Sequence, residues 1–365
     1  MDCESLARAL AQAVREAVGT RVVIHVGGGN FALEPTTFDG GATEIWLKGA
    51  AEGTETRLSA ELDASAALFT IRDGAPRIRF ESLMLSSPVL VEGGHLRVTR
   101  CAFGEASRSA RRLSSRQSPP RSLTVSGGEA VIEQTTFFNL TGGAIALGGA
   151  GHLEVSDSSF HNNRAESGGA MIVSGGRAVL TRCVFENNRA AVAGGGLRIT
   201  GGHVELRNQT LLRGNEASEG RSVSMSDITS ALVEYSLPVP LGHYVIVPQG
   251  GTRVFLNSIS SLIDDDFPFS CPASVFGNSY DAREQSGPWC SGVCPAGFAC
   301  SAGTIVPEVC PQGRYCPTSS ANGEVCDAGS WSNRTGLASA SECSVCPRGT
   351  LSRGIQTSPV LAALP

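Results

Sequence analysis

The sequence predicts an all-β protein, a right-handed parallel β-helix (solenoid) with an N-terminal capping helix and a small disulfide-rich C-terminal module. Three observations predict it. A glycine turn recurs with a period of about 25 residues. Each repeat carries two short alternating strands and a large apolar residue nine positions after the turn's last glycine. Nine of the twelve cysteines are confined to Cys271–Cys346.

Residues 1–20 form the predicted cap. Leu6, Leu10, Val14 and Val18 recur every fourth position between Ser5 and Val18, and Gly19 supplies a stop. An open β-helix end exposes a sheet edge and its core, so an amphipathic lid is needed there. The β-helix is placed at residues 21–235. Arg21–Val26 reads as its first strand, and Ile45–Lys48, Leu68–Ile71 and Ile78–Phe80 continue the stack irregularly.

Five segments then align without a gap: Gly93–Phe103, Gly127–Phe137, Gly151–Phe160, Gly175–Phe185 and Gly201–Leu211. A second apolar block precedes each turn, at Val89–Val91, Leu123–Val125, Ile145–Leu147, Met171–Val173 and Leu197–Ile199. The last three spacings are 23, 25 and 26 residues; the first is 34, because residues 105–121 are inserted. Strands this short, alternating apolar with polar, each bury one face. Hairpins would need turns at shorter spacing, and a βαβ unit would need a helix. Coils stacked in parallel bury one face of every strand in a continuous cylinder, about 4.8 Å per coil. The repeated Phe predicts an aromatic stack, and Phe-x-Asn-Asn (Phe160–Asn163, Phe185–Asn188) predicts an amide ladder at the bend. The insertion is basic (Arg108, Arg111, Arg112, Arg116, Arg121) and rich in Ser and Pro. It reads as a disordered surface loop, or alternatively as a dock for an acidic partner.

Residues 236–289 read as a linker and irregular segment: Leu237–Tyr244 breaks the period, and Asp264–Asp266 fits no repeat. Residues 290–352 form the cysteine-rich module, with residues 353–365 as a tail. From Cys290 the spacing is C-x3-C-x5-C-x9-C-x5-C-x9-C-x16-C-x2-C. The disulfide candidates are Cys271, Cys290, Cys294, Cys300, Cys310, Cys316, Cys326, Cys343 and Cys346. A zinc site would need a second Cys-x-x-Cys pair or a histidine, and no histidine follows His243. Nine is odd, so a partner for Cys346 is expected outside this chain, as part of a larger protein. Such cysteine density implies an oxidising compartment, hence an extracellular or cell-surface location. The sequons at Asn139, Asn208 and Asn333 are glycosylation candidates that agree with it. The N-terminus lacks the basic and apolar regions of a signal peptide, and no apolar run reaches the length of a membrane span.

The cap, Val22–Gly27 and Ile45–Gly49 together resemble the start of pectin-lyase-like β-helix proteins. Gly142–Ile145, Gly168–Met171 and the Phe-x-x-Asn elements resemble polymorphic outer-membrane-protein repeats, which belong to β-helical surface proteins, largely adhesins. The Cys-Pro-x-Gly-x-x-Cys units, Cys294–Cys300 and Cys310–Cys316, resemble ephrin-receptor-like cysteine-rich modules. Such modules occur on cell-surface receptors and on large surface proteins of algae and other protists.

These resemblances imply a non-catalytic secreted or cell-surface protein, adhesin- or receptor-ectodomain-like, with carbohydrate or protein partners. The alternative is a polysaccharide-active lyase, hydrolase or epimerase. Hydrolases need paired carboxylates, and Glu133, Glu154 and Glu205 instead read as one solvated outward position shared with Arg97. The alternative catalytic patch is Asp157, His161, Arg164 and Arg189. His95, His152 and His203 share a repeat position but fall on alternate coils, too far apart for one ion, and read as exposed turn residues. Cys101 and Cys183 share another position three coils apart and read as buried free thiols. Gly27–Gly29 and Gly194–Gly196 lack a following Gly-Lys-Ser/Thr and are turns. No cofactor and no metal is assigned. A net charge of −5 without a basic face argues against nucleic acid.

Overall fold

The computed structural model describes residues 3–15, 19–50, 54–60, 66–104, 119–226, 231–247, 251–256, 260–348, 350–352 and 360–361. The chain divides into two units: residues 1–236 with 255–267, and residues 237–254 with 268–365.

The first unit is a parallel β-helix of three sheets. One repeat shows the winding: Ile145–Leu147, a glycine turn, His152–Ser156, a two-residue bend, then Ser159–His161. The middle strand of each coil builds the first sheet, from Arg21–His25 through Glu44–Lys48, Arg77–Glu81 and His95–Thr99 to Glu129–Glu133 and His152–Ser156. It continues in the later parts of Met171–Thr181 and Leu197–Arg207 and ends on Ala231–Ser236. The strand before each turn builds the second sheet, from Thr36–Phe38 to Val223–Met225. The strand after each bend builds the third, from Gly29–Leu33 to Leu211–Arg213.

Each column of the repeat has a physical reason. Phe103, Phe137, Phe160 and Phe185 stack at 4.6, 4.8 and 4.4 Å between ring centroids, within the range where offset aromatic pairs attract. Asn163 Nδ2 donates to Asn188 Oδ1, and Asn188 Nδ2 to Asn215 Oδ1, both at 3.0 Å. The ladder therefore uses the second Asn of each predicted pair and extends one coil further. The first Asn of each pair, Asn162 and Asn187, is exposed with φ of 55°, a left-handed conformation that Asn tolerates. The bend between the first and third sheets is a second left-handed column: Arg100, Gln134, Asp157 and Arg182. Gly128, Gly176 and Gly202 turn the chain between the second and first sheets at positive φ, with no room for a Cβ.

Several expectations are corrected. The helix spans Cys3–Arg15, and its buried stripe is Leu6, Leu10 and Ala13 rather than Leu6, Leu10, Val14 and Val18. Val14 is half-buried, and Val18 lies outside the described residues. The N-terminal coils are regular in three sheets, because Gly29–Leu33, Thr36–Phe38 and Thr56–Ala60 are also strands, the last two with no Gly-Gly turn before them. In the last aligned repeat the partner of Phe185 is Leu212, not Leu211. Asn208 and Gln209 are both left-handed, so the bend holds one residue more and the next strand is displaced by one position.

Residues 255–267 belong to the solenoid unit, not to a linker. Leu262–Ile263 pairs antiparallel with Val223–Met225, and Phe267 exchanges main-chain hydrogen bonds with Leu212. They cover the last edges of the second and third sheets, as solenoid ends require. Asp264 and Asp266 accept from the Arg221 and Gly214 amides, which accounts for two of the three acids.

In the second unit, disulfides join Cys271–Cys290, Cys294–Cys300, Cys310–Cys316 and Cys326–Cys343. The bond from Cys271 draws residues 268–289 into the cysteine-rich unit, beyond the expected start at residue 290. Both Cys-Pro-x-Gly-x-x-Cys units close on themselves, with Gly297 and Gly313 at positive φ. Two-residue antiparallel pairs flank them, such as Phe298–Ala299 with Glu308–Val309. A buried cluster of Ala299, Cys310 and Cys316 shows sulfur serving as core where few apolar side chains are present.

Candidate binding face

The outward side chains of the first sheet form three columns that run along the solenoid. One holds Arg21, Glu44, Arg77, His95, Glu129, His152, Arg177 and His203. The next holds Val23, Trp46, Arg79, Arg97, Val131, Glu154, Val179, Glu205 and Glu234. The third runs from His25 through Lys48, Glu81, Thr99, Glu133, Ser156 and Thr181 to Arg207. Parallel in-register stacking brings each residue beside its copies at about 4.8 Å. Charges of opposite sign on neighbouring coils therefore pair.

Arg21 and Arg79 bind Glu44 at 3.1 and 3.3 Å, and Arg97 binds Glu133 at 2.8 Å. His95 Nδ1 lies 2.9 Å from Glu129, and Glu81 is engaged by Arg100 and by Lys48 at 3.7 Å. Arg21, Lys48 and Arg79 also surround the Trp46 ring at 5.1, 5.2 and 4.8 Å, a range in which a cation is attracted to the ring face. The signs are segregated along the rod. Up to His95–Thr99 the face carries Arg21, Lys48, Arg77, Arg79 and Arg97 against Glu44 and Glu81. Beyond it the face carries Glu129, Glu133, Glu154, Glu205 and Glu234 against Arg177 and Arg207.

The acidic half ends in a buried cluster. Glu205 is 2% exposed, and Arg177 and Arg207 both hydrogen-bond to it. Burial alone would raise its pKa, but the Arg207 hydrogen bond and the Arg207 and Arg177 charges outweigh this and hold it below the ordinary carboxylate value. His203 lies 3.7 Å from Glu205 and 3.6 Å from Glu234. His95, His152 and His203 thus occupy strand positions on this face, not turns. Glu154 and Glu205 do share the Arg97 column, whereas Glu133 stands two residues on, in the Thr99 column.

The alternative catalytic patch is placed on another side of the coil. Asp157 stands at the left-handed bend, and Arg182, one coil on, donates to it twice at 2.6 and 2.7 Å. That hydrogen bonding holds Asp157 below the ordinary carboxylate value. His161 belongs to the third sheet, 3.4 Å from Glu186, which Arg213 binds at 2.8 Å. Arg164 and Arg189 are register neighbours, and Arg189 pairs with Glu216 at 3.2 Å. Asp157 and His161 are thus engaged by different partners, Arg182 and Glu186.

A cleft of about 400 Å³ lies among Pro119, Arg121, Thr141, Ala146, Glu166 and Ile172. Burial lowers the Arg121 pKa to about 10, and its guanidinium donates to the Gly168, Ile145 and Ser167 carbonyls. Arg121 is therefore a structural tie and not part of a solvated loop; Arg108, Arg111, Arg112 and Arg116 lie outside the described residues. Cys101 and Cys183 are buried free thiols, each pushed up to about 12 by burial. Thr135 and Ser158 fill the coils between them, and hydroxyls in this column accept from the main-chain amide one coil earlier. Asn139, Asn208 and Asn333 are exposed. Cys346 carries no disulfide.

Among the described residues no helix is long and apolar enough to cross a membrane. No curated protein and no solved structure matches the chain. Residues 89–234, from the second-sheet strand Val89–Val91 to Glu234 on the last first-sheet strand, match the family model described as a right handed beta helix region.

Proposed function

We propose that the chain is a non-catalytic, secreted or cell-surface binding protein. In this reading the β-helix is a rigid rod, and a carbohydrate or protein ligand lies along the outward face of the first sheet. The observation that carries it is the ladder of ion pairs along that face. An acid–base catalyst needs a side chain whose protonation is poised near the working pH. Here Glu44, Glu81, Glu133 and Glu205 are engaged by basic neighbours, and Glu205 is held in its ionised form. A segregated field of charge suits recognition of an extended partner of complementary charge. Four disulfides support an oxidising, extracellular compartment. A stalk role for the cysteine-rich unit rests on its receptor-like spacing.

The test is binding of the full chain to arrays of acidic, neutral and basic polysaccharides and to cell-surface protein extracts, with product release from uronate polymers followed in parallel. Arg79→Glu with Arg97→Glu should abolish retention, whereas Arg198→Ala on the second sheet should leave it unchanged. Product release that disappears in Asp157→Asn or His161→Ala would instead establish the polysaccharide-active alternative.

A further inference from the structure

We propose that His203, Glu205 and Glu234 form a binding site for one divalent cation of the zinc class. Neither the binding face nor its ligand is needed for this inference. His203 and Glu205 are two apart on one strand, so both point outward, and Glu234 is the register partner of Glu205 one coil on. Their ligand atoms all lie within 4.8 Å of one another. Glu205 and Glu234 are 2% and 5% exposed. Two carboxylates directly opposed on neighbouring strands repel, and Arg177 and Arg207 stand on Glu205.

The histidine supplies the independent observation. Its Nε2 is sealed from solvent and has no hydrogen-bond partner. It stands 3.7 Å from Glu205 Oε1 and 3.6 Å from Glu234 Oε1, too far for hydrogen bonds. An orphaned buried polar atom is costly. An ion about 2.0–2.2 Å from each of three ligand atoms would hold them roughly 3.3–3.7 Å apart, so the two His203–carboxylate spacings that are too long for hydrogen bonds suit a shared cation, with the carboxylate oxygens within 4.8 Å of each other. The repeat provides its own control. At the same position His95 makes an ordinary 2.9 Å contact with the half-buried Glu129, and His152 lies 3.3 Å from the exposed Glu154. His203 alone of the three faces two buried carboxylates.

The donor set selects the ion. One imidazole with two carboxylates suits zinc and its neighbours, whereas calcium and magnesium take oxygen ligands. Three protein ligands leave an open fourth position. Arg177 hydrogen-bonds the same Glu205 Oε1, while Arg207 uses Oε2. An incoming ion would release the half-exposed Arg177 to solvent and leave Arg207 in place. Arg177 is thus a competitor, and bound metal would clasp the last coil to the one before it.

The experiment is equilibrium dialysis of the chelator-stripped full chain against zinc chloride with metal analysis, together with thermal unfolding, and with calcium and magnesium chloride in parallel. The wild type should retain one equivalent of zinc that Glu234→Gln and His203→Ala lose or bind at least about tenfold more weakly. Zinc should raise the wild-type midpoint and not that of the variants, and Arg177→Gln should bind zinc more tightly. His203→Arg guards against misfolding, since Arg177 fills the same position one coil earlier; it should fold and lack the equivalent. Absence of saturable zinc binding, equal binding by wild type and all three ligand variants, or equal affinity for calcium would overturn the proposal.

Discussion

Replacing Asn188 by Ala should be among the most damaging single changes in the solenoid. Asn188 is fully buried. Its Nδ2 donates to the Phe160 carbonyl at 2.9 Å and to Asn215 Oδ1 at 3.0 Å. Its Oδ1 accepts from the Asn163 amide at 3.1 Å and from Asn163 Nδ2 at 3.0 Å. Truncation removes four hydrogen bonds to groups on the two flanking coils; Asn163 Nδ2 keeps the Phe137 carbonyl and Asn215 Oδ1 keeps the Asn188 amide, so the Asn163 amide and the Phe160 carbonyl are the two groups left without this partner. Each unsatisfied buried group costs about 1–3 kcal/mol, and relaxation or water entry returns part of that, leaving an expected loss of about 2–4 kcal/mol. That is a large share of the roughly 5–15 kcal/mol by which native domains are stable. The assay is urea unfolding followed by far-ultraviolet circular dichroism, with the adjacent Asn187→Gly as control. Asn187 is exposed at φ 55°, a conformation glycine adopts freely, so that change should stay within about 0.5 kcal/mol. An Asn188→Ala effect below about 1 kcal/mol, or one equal to the control, would refute the ladder as a source of stability.

Three further outcomes are expected. Gly176→Ala should destabilise by at least about 1–2 kcal/mol, because φ is +74° and a Cβ would overlap the Gly151 carbonyl; Gly40→Ala, in open space, should be neutral in the same urea titration. Cys101 and Cys183, with pKa raised to about 12, should resist iodoacetamide at pH 8 until the chain is unfolded, whereas Cys346 is alkylated in the native protein, as read by peptide mass spectrometry. The depressed Glu205 pKa adds stability that is present above its unfolded value and lost as pH falls through the folded one; Glu205→Gln should therefore lower the thermal midpoint at pH 7, with the deficit shrinking on acidification below the ordinary carboxylate range.

Glycine turns and repeated Phe made the coils from Val89 onward legible, because both columns repeat with the fold's own period. The earlier coils are harder to read, since Thr56–Ala60 follows no Gly-Gly turn and Leu58 and Leu85 stand where later coils stack Phe. The single residue added at Asn208–Gln209 leaves no mark in the sequence, because Leu211 and Leu212 are chemically alike and only register separates them. Residues 260–267 close the solenoid by antiparallel edge contacts, which leave no periodic trace. Side-chain types on the binding face could be read, but their pairing needed the register: Arg97 meets Glu133 diagonally, and Glu234 joins His203 from outside the five aligned repeats.

The central claim is that successive repeats stack in register, so that residues one coil apart are direct neighbours on the first sheet. Val131→Cys with Glu154→Cys places thiols on register partners, and Val131→Cys with Val179→Cys places them two coils apart, about 9.6 Å at 4.8 Å per coil. Dibromobimane fluoresces once both of its short arms have reacted with adjacent thiols. The stacked solenoid predicts intramolecular cross-linking in the first pair and not in the second. Equal labelling of both pairs, or labelling of the second alone, would contradict it.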